Sequence, residues 1–409
     1  MKRNILVFTS SRADFGHLQG VIEELVATAE VTLLVTGAHT LSEGRSSIEE
    51  VLNFCDRHKL NHQIVPIVGL TPNDGIAQIN SLSELTPQLA HKIQCLSPEL
   101  IILLGDRWEL FSISVAALLM RVPLAHISGG EVTTGAIDDC VRHAHTKLAH
   151  LHFAASESNA RTISLLGEED WRITISGESG LDWVHSSIIP EYSMVCTRFG
   201  LSEFPSRPLL LFTYHPTSYG DQLQLIAELD VLINAFNVLK DFEILITGPG
   251  SEQGSDQVRN AFQILSSTES HVLYVEHLGC ANYLALMKGA AAVVGNSSSG
   301  IVEAPSLGTP SVDIGDRQLG RGRADSTLHC SFSVEELVNA VRVATSVEFR
   351  EFAKQVINPY DPYRDGQNCR RIAQSCIHAL DEIGKEQILA KGFDQICDSS
   401  SWNFLLTAS

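Results

Sequence analysis

Short runs of Val, Ile and Leu recur along this chain, and amphipathic stretches separate them. In the first half these runs are NILVFTS, VTLLVTG, HQIVPIV, ELIILLGD, VPLAHIS and LHFAAS. In the second half they are PLLLFTYHP, DFEILITGPG, HVLYVEHL, AAAVVGNSS and PSVDIGD. Strands that are buried on both faces have such unbroken apolar sequences, because helices cover both faces of a parallel sheet. The alternation therefore predicts an α/β protein with two parallel sheets.

The segment 179–208 interrupts this alternation, and we predict that it is a linker region. A chain of 409 residues is too long for one ordinary core, so two domains are expected. Two α/β domains of similar size imply a cleft between them, and ligands of such sheets bind beyond the carboxyl ends of the strands. The unusual polar segments of this sequence all follow predicted strands, which suggests that they form a ligand site.

The formal net charge of −19 argues against a nucleic-acid partner or an anionic membrane surface. A local cluster of cations could still bind an anionic substrate. The nine cysteines include no CxxC pair, and we expect small buried thiols at Cys95, Cys140 and Cys376, as in a reducing cytoplasm. No apolar segment is long enough to span a bilayer, and the first residues suit a strand better than a signal peptide.

One polar segment, GNSSSGIVE, joins a predicted strand to a predicted helix. Backbone N–H groups at a helix start, together with serine hydroxyls, can bind an anion. Ser297, Ser298 and Gly300 could therefore hold a diphosphate, and Glu303 could accept hydrogen bonds from ribose hydroxyls. An ordinary serine cap of the helix is the alternative.

Carboxylates follow two further strands of the first half. Asp106 and Arg107 end the strand ELIILLGD, where an aspartate is also a common helix cap. The segment after VPLAHIS holds a mixed group of charged residues: Glu131, Asp138, Asp139, Arg142 and His143. Carboxylates beside cations can form acid–base pairs with different pKa values. The alternative is a helix whose charges simply suit its dipole.

Several cationic residues also follow strands: Arg12, His215, Arg317, Arg321 and Arg323. They could bind phosphate, although a solvated basic loop would look the same for the last three. The first turn lacks the GxGxxG fingerprint, and the loop GPGSEQGS fits neither that fingerprint nor the Walker pattern. Histidines at 143, 145, 150 and 152 match no metal-binding spacing. We expect neither a nicotinamide cofactor nor a metal.

Five segments, in their order along the chain, resemble a single family: SRADFG, GDRWE, HISGGEVTTGAIDDCVRHAHTKLAH, HPT and GNSSSGIVEAPSLGTPSVDIGDRQLGR. From the first strand to about residue 365, the chain resembles the hydrolysing UDP-N-acetylglucosamine 2-epimerases of sialic acid biosynthesis. The resemblance implies a GT-B-like fold of two Rossmann-type parallel-sheet domains. It places an N-terminal domain at 1–185, a UDP-binding domain at 186–365, a helix at 366–395 packed back on the first domain, and a tail at 396–409.

The resemblance also implies a reaction and its residues. UDP-N-acetylglucosamine and water would give N-acetylmannosamine and UDP through a glycal, without a cofactor or metal, in a cytoplasmic homodimer or homotetramer. The residues that would carry the chemistry are Asp106, Glu131, Asp138, Asp139 and His215. Those that would bind the UDP-sugar are Arg12, Arg107, Arg142, His215, His277, Ser297, Ser298, Gly300, Glu303 and Arg317.

Two departures from the family pattern concern the site. Gly250 stands where relatives commonly have asparagine and removes an expected amide contact, and Ser128 stands where some have a carboxylate, which leaves the identity of the C2 base open. Four rival functions also stay open at this point. A non-hydrolysing epimerase would have GDT instead of GDR at 105–107. A hydrolysing enzyme acting on UDP-N,N′-diacetylbacillosamine, on the legionaminic acid route, would have the same chemistry. A GT-B glycosyltransferase and a non-catalytic UDP-sugar-binding protein would share the nucleotide site.

Overall fold

The protein is described from a computed structural model, which covers residues 2–41, 45–67, 75–133, 137–186, 189–201, 207–216, 222–250 and 254–392. Its contacts divide the chain into two compact units. The first unit combines the residues up to Gly180 with those from Gln367 onward, and the second comprises Leu181–Gly366. The predicted tail at 396–409 and residues 251–253 of the glycine-rich loop lie outside the described residues.

The strands follow the predicted apolar runs closely. They are β1 Arg3–Thr9, β2 Ala29–Val35, β3 Asn61–Ile64, β4 Leu100–Leu104, β5 Leu124–Ile127, β6 Leu151–Ala154, β7 Ile173–Ile175, β8 Leu209–Thr213, β9 Glu243–Thr247, β10 Val272–Val275, β11 Ala292–Gly295, β12 Ser311–Ile314 and β13 Thr327–Cys330. The two short strands β7 and β13 were not predicted; each lies at the edge of its sheet.

The helices fill the intervals between strands. They are α1 Arg12–Thr28, α2 Arg45–His58, α3 Gly75–Leu96, α4 Leu110–Leu119, α5 Ile137–Leu148, α6 Glu157–Leu165, α7 Tyr192–Arg198, α8 Gln222–Val238, α9 Ser255–Thr268, α10 Cys280–Gly289, α11 Ser299–Val302, α12 Val334–Ala344, α13 Val347–Ala353, α14 Asn368–His378 and α15 Lys385–Leu389. Helix α7 lies inside the segment that we predicted to be a linker, so that segment is partly helical.

Each unit contains one parallel sheet within the described residues. The first sheet has the order β3-β2-β1-β4-β5-β6-β7, and the second has the order β10-β9-β8-β11-β12-β13. All neighbouring strands pair in parallel. Both are open, doubly wound sheets of the Rossmann type, so the predicted fold class is confirmed.

Both faces of each sheet are buried, which explains why the strands are continuously apolar. Along β1, Ile5 and Val7 pack with residues of α1, α2 and α14, whereas Leu6 and Phe8 pack on the opposite face with residues of α3 and α4. Successive side chains of a strand point to opposite faces, so every position needs an apolar residue. The second sheet is covered on both faces in the same way.

The last described residues pack against the rest of the first unit. Helix α14 packs against α1. The Arg172 guanidinium donates to the carbonyl oxygens of Ile388 at 2.8 Å and Ala390 at 3.2 Å. Close by, the buried Glu168 carboxylate accepts from three groups, which together we call the Glu168 cluster: Lys147 Nζ at 2.5 Å, Lys391 Nζ at 2.8 Å and His152 Nε2 at 2.9 Å.

The cysteine prediction was wrong in part. Cys376 is fully buried in the core of the first unit, but Cys95 and Cys140 are exposed on α3 and α5. Neither belongs to the buried side of its helix. No described helix combines the length and the apolar character that crossing a bilayer requires.

Candidate functional site

The strand order of each sheet reverses at one point, and ligands of such sheets bind in the crevice at that reversal. In the first unit the reversal lies between β1 and β4, and in the second between β8 and β11. The polar segments predicted from the sequence leave these four strands or their neighbours. Each unit is described separately below.

In the first unit, Arg142 on α5 is the centre of a polar cluster. Its guanidinium is only 2% exposed and forms an ion pair with Asp106, which follows β4. Nη1 also lies 3.5 Å from Asp139 Oδ1. A buried arginine is stable only when carboxylates and hydrogen-bond acceptors surround it. The structure therefore brings two of the predicted carboxylates to one cation.

The same guanidinium fixes the segment after β5. Arg142 Nη1 donates to the backbone oxygen of Glu131 at 2.8 Å and to Thr133 Oγ1 at 3.2 Å. The backbone N–H of Thr133 in turn donates to Asp139 Oδ1 at 2.7 Å. Glu131 therefore joins Asp106, Asp139 and Arg142 through its main chain, and its side chain is half-buried.

Arg107, next to Asp106, has a buried partner that we did not predict. Its Nη2 donates to Glu109 Oε1 at 2.5 Å, and the Glu109 side chain has no exposed area. Burial alone would lower the pKa of Arg107, but the charges of Glu109, Asp14 and Asp106 outweigh it and raise that pKa. Arg107 is therefore a permanent cation held beside Asp106.

Two further predicted residues of the first unit, Asp138 and Arg12, are exposed. Asp138 is exposed on the first turn of α5. Arg12 is exposed and forms an ion pair of 3.2 Å with Glu50 on α2. Ser11 caps α1, and Asp14 forms a capping box with it.

Two buried histidines underlie this cluster. His126 Nε2 lies 2.7 Å from the backbone oxygen of Gly105, the residue before Asp106. Burial lowers the pKa of His126 to about 4 and that of His145 to about 3. Both rings are therefore neutral at physiological pH, and His126 donates its Nε2 proton to Gly105. They shape the strand ends and do not compete with Arg142 as cations.

In the second unit, His215 and Arg317 are joined through Asn296. The Asn296 side chain accepts from the His215 N–H and donates to the His215 carbonyl, at 2.7 Å in each case. Arg317 Nη1 donates to the Asn296 backbone oxygen at 3.0 Å. The Gly250 N–H donates to His215 Nδ1 at 3.2 Å, which places the proton of the neutral ring on Nε2. Gly250 thus helps to orient the His215 ring through its backbone N–H.

A chain of hydroxyl groups runs beneath the loop after β11. Ser299 Oγ donates to Ser297 Oγ at 3.0 Å and lies 2.7 Å from the hydroxyl of Tyr283. That hydroxyl lies 3.4 Å from Thr213 Oγ1, which contacts Thr247 Oγ1 at 2.6 Å. Because these groups bond to one another, the serines are held in fixed orientations at the end of the strand.

The other predicted residues of this loop lie around α11. Ser298 precedes the helix and makes no side-chain capping bond, so it is not an ordinary serine cap. Ser297 and Gly300 line one small cavity. Glu303 ends this single-turn helix and is half-buried, whereas His277, in the loop after β10, is exposed.

The basic loop after β12 divides into two parts. Arg323 pairs with the buried Asp313, with Nη2 at 2.5 Å and Nε at 3.1 Å from the same oxygen. Arg317 is turned instead toward the Asn296 carbonyl. Arg317 thus shares Asn296 with His215.

With this geometry in view, the chain was compared with known proteins. The model of the family described as UDP-N-acetylglucosamine 2-epimerase matches residues 23–376. The chain belongs to this 2-epimerase family. The match includes the reversal point of the second sheet, strand β4 of the first sheet and every predicted site residue except Arg12.

Individual proteins of known name are also similar to this member of the 2-epimerase family. A GDP/UDP-N,N′-diacetylbacillosamine 2-epimerase (hydrolyzing) of Campylobacter jejuni is 31% identical over 398 residues, covering 96% of this chain and 99% of that protein. A UDP-N-acetylglucosamine 2-epimerase of Neisseria meningitidis serogroup B is 30% identical over 354 residues, covering 85% and 88%. The crystal structure of UDP-GlcNAc 2-epimerase from Neisseria meningitidis bound to UDP-GlcNAc shares the fold, with a TM-score of 0.74, 17% identity and coverage of 91% and 99%.

Sequence reasoning missed two residues that organise this epimerase's strand ends, Glu109 and Asn296. Both lie inside segments that resemble the family, GDRWE and GNSSSG. A glutamate two positions after an arginine was the available signal for Glu109, but nothing in the sequence distinguishes Asn296 from a turn residue. The described residues contain no group of three or more His, Cys, Asp or Glu placed to hold a metal ion.

Proposed function

We propose that this epimerase is hydrolysing and converts UDP-N-acetylglucosamine and water to N-acetylmannosamine and UDP. The observation that carries the proposal is the buried Arg142, which gathers Asp106, Asp139 and the Glu131 segment at the carboxyl edge of a Rossmann-type sheet. Paired carboxylates held by one cation suit a reaction that removes a proton and later returns one. The family match supports the same reaction class.

In this proposal the second unit binds the UDP moiety. His215, Arg317, the ordered hydroxyl of Ser297 and the hydroxyl of Ser298 supply hydrogen-bond donors and positive charge for the diphosphate. Glu303 accepts hydrogen bonds from the ribose, and His277 adds a polar contact to the nucleotide. Such donors are worth most when they are oriented before the substrate arrives. Arg12 and Arg107 add positive charge from the first unit.

The first step is an elimination. A carboxylate, Asp106 or Glu131, takes the proton from C2 while the bond between C1 and the UDP oxygen breaks. The electron pair of the C2–H bond forms the C1=C2 double bond of a glycal, and the C1–O pair leaves with UDP. The C2 proton is very weakly acidic, so departure of UDP must accompany its removal. Positive charge around the diphosphate lowers this barrier.

The second step is hydration of the glycal. Of Asp138 and Asp139, one carboxylate takes a proton from water as the oxygen bonds to C1. The other, in its protonated form, donates its proton to C2 from the face opposite the first base, and exchange with solvent then restores both groups. The result is an inverted C2 and a free sugar. His143, 3.5 Å from Asp139, is placed to exchange that proton with solvent. The chain's own residues thus supply every proton transfer of the reaction.

A second substrate is favoured by one specific observation. The Campylobacter jejuni relative named for UDP-N,N′-diacetylbacillosamine aligns with 96% of this chain. The same elimination and hydration would act on that sugar, because it differs from N-acetylglucosamine at C4 and C6, away from the reacting carbons. The legionaminic acid route is then the pathway instead of sialic acid synthesis.

The deciding experiment incubates the protein with each UDP-sugar in D2O and follows phosphorus and proton NMR. We expect release of UDP and one deuterium at C2 of the free sugar, and the faster of the two UDP-sugars identifies the substrate. Retention of the original hydrogen at C2 would exclude the glycal route. UDP binding without turnover of either sugar would favour a non-catalytic binding protein, and transfer only to an added acceptor would favour a glycosyltransferase.

A matched pair of variants assigns the chemistry to the cluster. Asp106→Asn removes the carboxylate beside Arg142, whereas Asp56→Asn changes an exposed carboxylate on α2. We expect only the first to abolish deuterium incorporation. Light scattering of the same samples tests the proposed homodimer or homotetramer.

A further inference from the structure

Asn296 occupies the strand-order reversal of the second sheet. It directly follows β11, which pairs with β8, and His215 follows β8 by two residues. Its side chain is almost completely buried at 1% exposure. It bonds to both the N–H and the C=O of His215, at 2.7 Å each, as a neighbouring strand would. The amide therefore extends the sheet pairing by one residue through a side chain.

The preceding glycine permits this approach. Gly295 has a φ of +136°, and a Cβ at that position would lie 1.9 Å from the backbone oxygen of Thr213. Only glycine can bring β11 so close to β8 at this point. The N–H of Asn296 then donates to the same Thr213 oxygen at 3.2 Å. The position of Asn296 against His215 is thus fixed by the backbone as well as by its own side chain.

The backbone of Asn296 holds a second pair of side chains. Its carbonyl oxygen accepts from Arg317 Nη1 at 3.0 Å and from Gln318 Nε2 at 2.9 Å. A carbonyl orients a guanidinium without bringing a negative charge to it, unlike the Asp313 carboxylate that pairs with Arg323. One buried residue therefore connects His215 and Arg317, both of which are predicted to bind the UDP-sugar.

We infer that Asn296 is a positioning residue that holds His215 and Arg317 in the geometry that binds the nucleotide diphosphate. This inference rests on the proposed function, in which those two residues bind UDP. Oriented donors bind an anion more strongly than mobile ones, because the ordering cost has been met during folding. Removing the amide leaves His215 and Arg317 present but no longer fixed relative to each other.

The test measures binding of UDP and of uridine by calorimetry to the wild type, Asn296→Ala and Asn296→Ser. Two hydrogen bonds of ordinary strength correspond to about a ten-fold or greater loss of UDP affinity in Asn296→Ala. Uridine lacks the diphosphate, so its affinity should change by less than about two-fold. Asn296→Ser keeps one hydroxyl that can bond to His215, so its UDP affinity should lie between those of the wild type and Asn296→Ala.

Asn358→Ala is the matched control. Asn358 is equally buried in the same unit, and its side chain also bonds to backbone groups, the Val302 carbonyl at 2.7 Å and the Tyr360 N–H at 3.0 Å. We expect a comparable fall in melting temperature but little change in UDP affinity. If Asn296→Ala shows no cooperative melting, Asn296→Ser decides the question by the same ratio of UDP to uridine affinity.

Three results would overturn the inference. Retained UDP affinity in the Asn296 variants would refute the inference about Asn296 and leave the proposed function intact. Equal losses of UDP and uridine affinity in these variants would do the same. A similar loss of UDP affinity in Asn358→Ala would show that general destabilisation is the cause. If the wild type binds no UDP, the proposed function fails together with this inference.

Discussion

Replacement of Glu168 by glutamine should destabilise the first unit by a predictable amount. Burial alone would raise the pKa of Glu168, but His152, Lys147 and Lys391 outweigh it and lower that pKa from 4.5 to about 2. Each pKa unit corresponds to about 1.4 kcal/mol, so the ionised carboxylate contributes about 3 kcal/mol to the free energy of unfolding. Glu168→Gln should lose about that much at pH 7, because it also leaves two ammonium groups without their carboxylate.

The dependence on pH has a definite sign. A carboxylate whose pKa is lower in the folded state stabilises fully above its unfolded pKa, and this contribution is lost as the pH falls toward the folded pKa. The difference between wild type and Glu168→Gln should therefore be constant from pH 7 to pH 5. It should shrink by about 1.4 kcal/mol at pH 3.5, one unit below 4.5.

Urea denaturation followed by circular dichroism measures these differences. Glu24→Gln is the control, since Glu24 is an exposed glutamate of the same unit on α1. A loss no larger than that of the control at pH 7 would refute the reasoning. A difference that shrinks already between pH 7 and pH 5 would show that a group other than Glu168 controls the stability of the cluster.

Three further predictions concern other parts of the molecule. Asp106→Asn should reduce kcat by about 100-fold or more while UDP affinity changes little, because it removes a proton acceptor and not a phosphate ligand; a proportional loss of UDP affinity in calorimetry would contradict this. Gly295→Ala should destabilise the second unit by about 3 kcal/mol or more, since its Cβ would overlap a backbone oxygen. Gly16→Ala, with open space around it, should be neutral or slightly stabilising. Equal decreases in the urea midpoints of the two variants would disprove the prediction for Gly295. The free energy of unfolding of the wild type should fall as the pH drops from 6.5 toward 4. Burial keeps His126 and His145 neutral in the folded protein, whereas the same histidines of the unfolded chain take up protons in this range. A free energy of unfolding, measured by urea denaturation, that stays constant across this pH range would be inconsistent with buried neutral rings.

The sheets could be predicted because their signal is local and repeated. A strand covered on both faces needs apolar residues at successive positions, as Leu209–Thr213 and Leu100–Leu104 show. The edge strands β7 and β13 were missed for the converse reason. They have three and four residues with partly exposed side chains, so their sequences do not differ from those of a loop.

The site was only partly predictable, because residue types indicate chemistry but not pairing. The carboxylates and cations near β4 and β5 could be named, since charged residues after buried strands are unusual. Which of them meet depends on side-chain reach, since Arg142 contacts Asp106 across 36 positions of sequence. The role of Asn296 could not be predicted from the sequence, because it depends on the distance between β8 and β11, which Gly295 sets.

The discontinuous first unit has a consequence for how the protein is made. Residues up to Gly180 leave the ribosome early, but the helix that covers α1 begins at Asn368, and the lysine that completes the Glu168 cluster is residue 391. The second unit is an uninterrupted stretch and can reach its native packing during translation, as contiguous domains do. The first unit must wait, with the apolar surface of α1 uncovered, until the final segment emerges. A nascent chain arrested shortly before residue 368 should therefore be the species that chaperones bind and proteases cut.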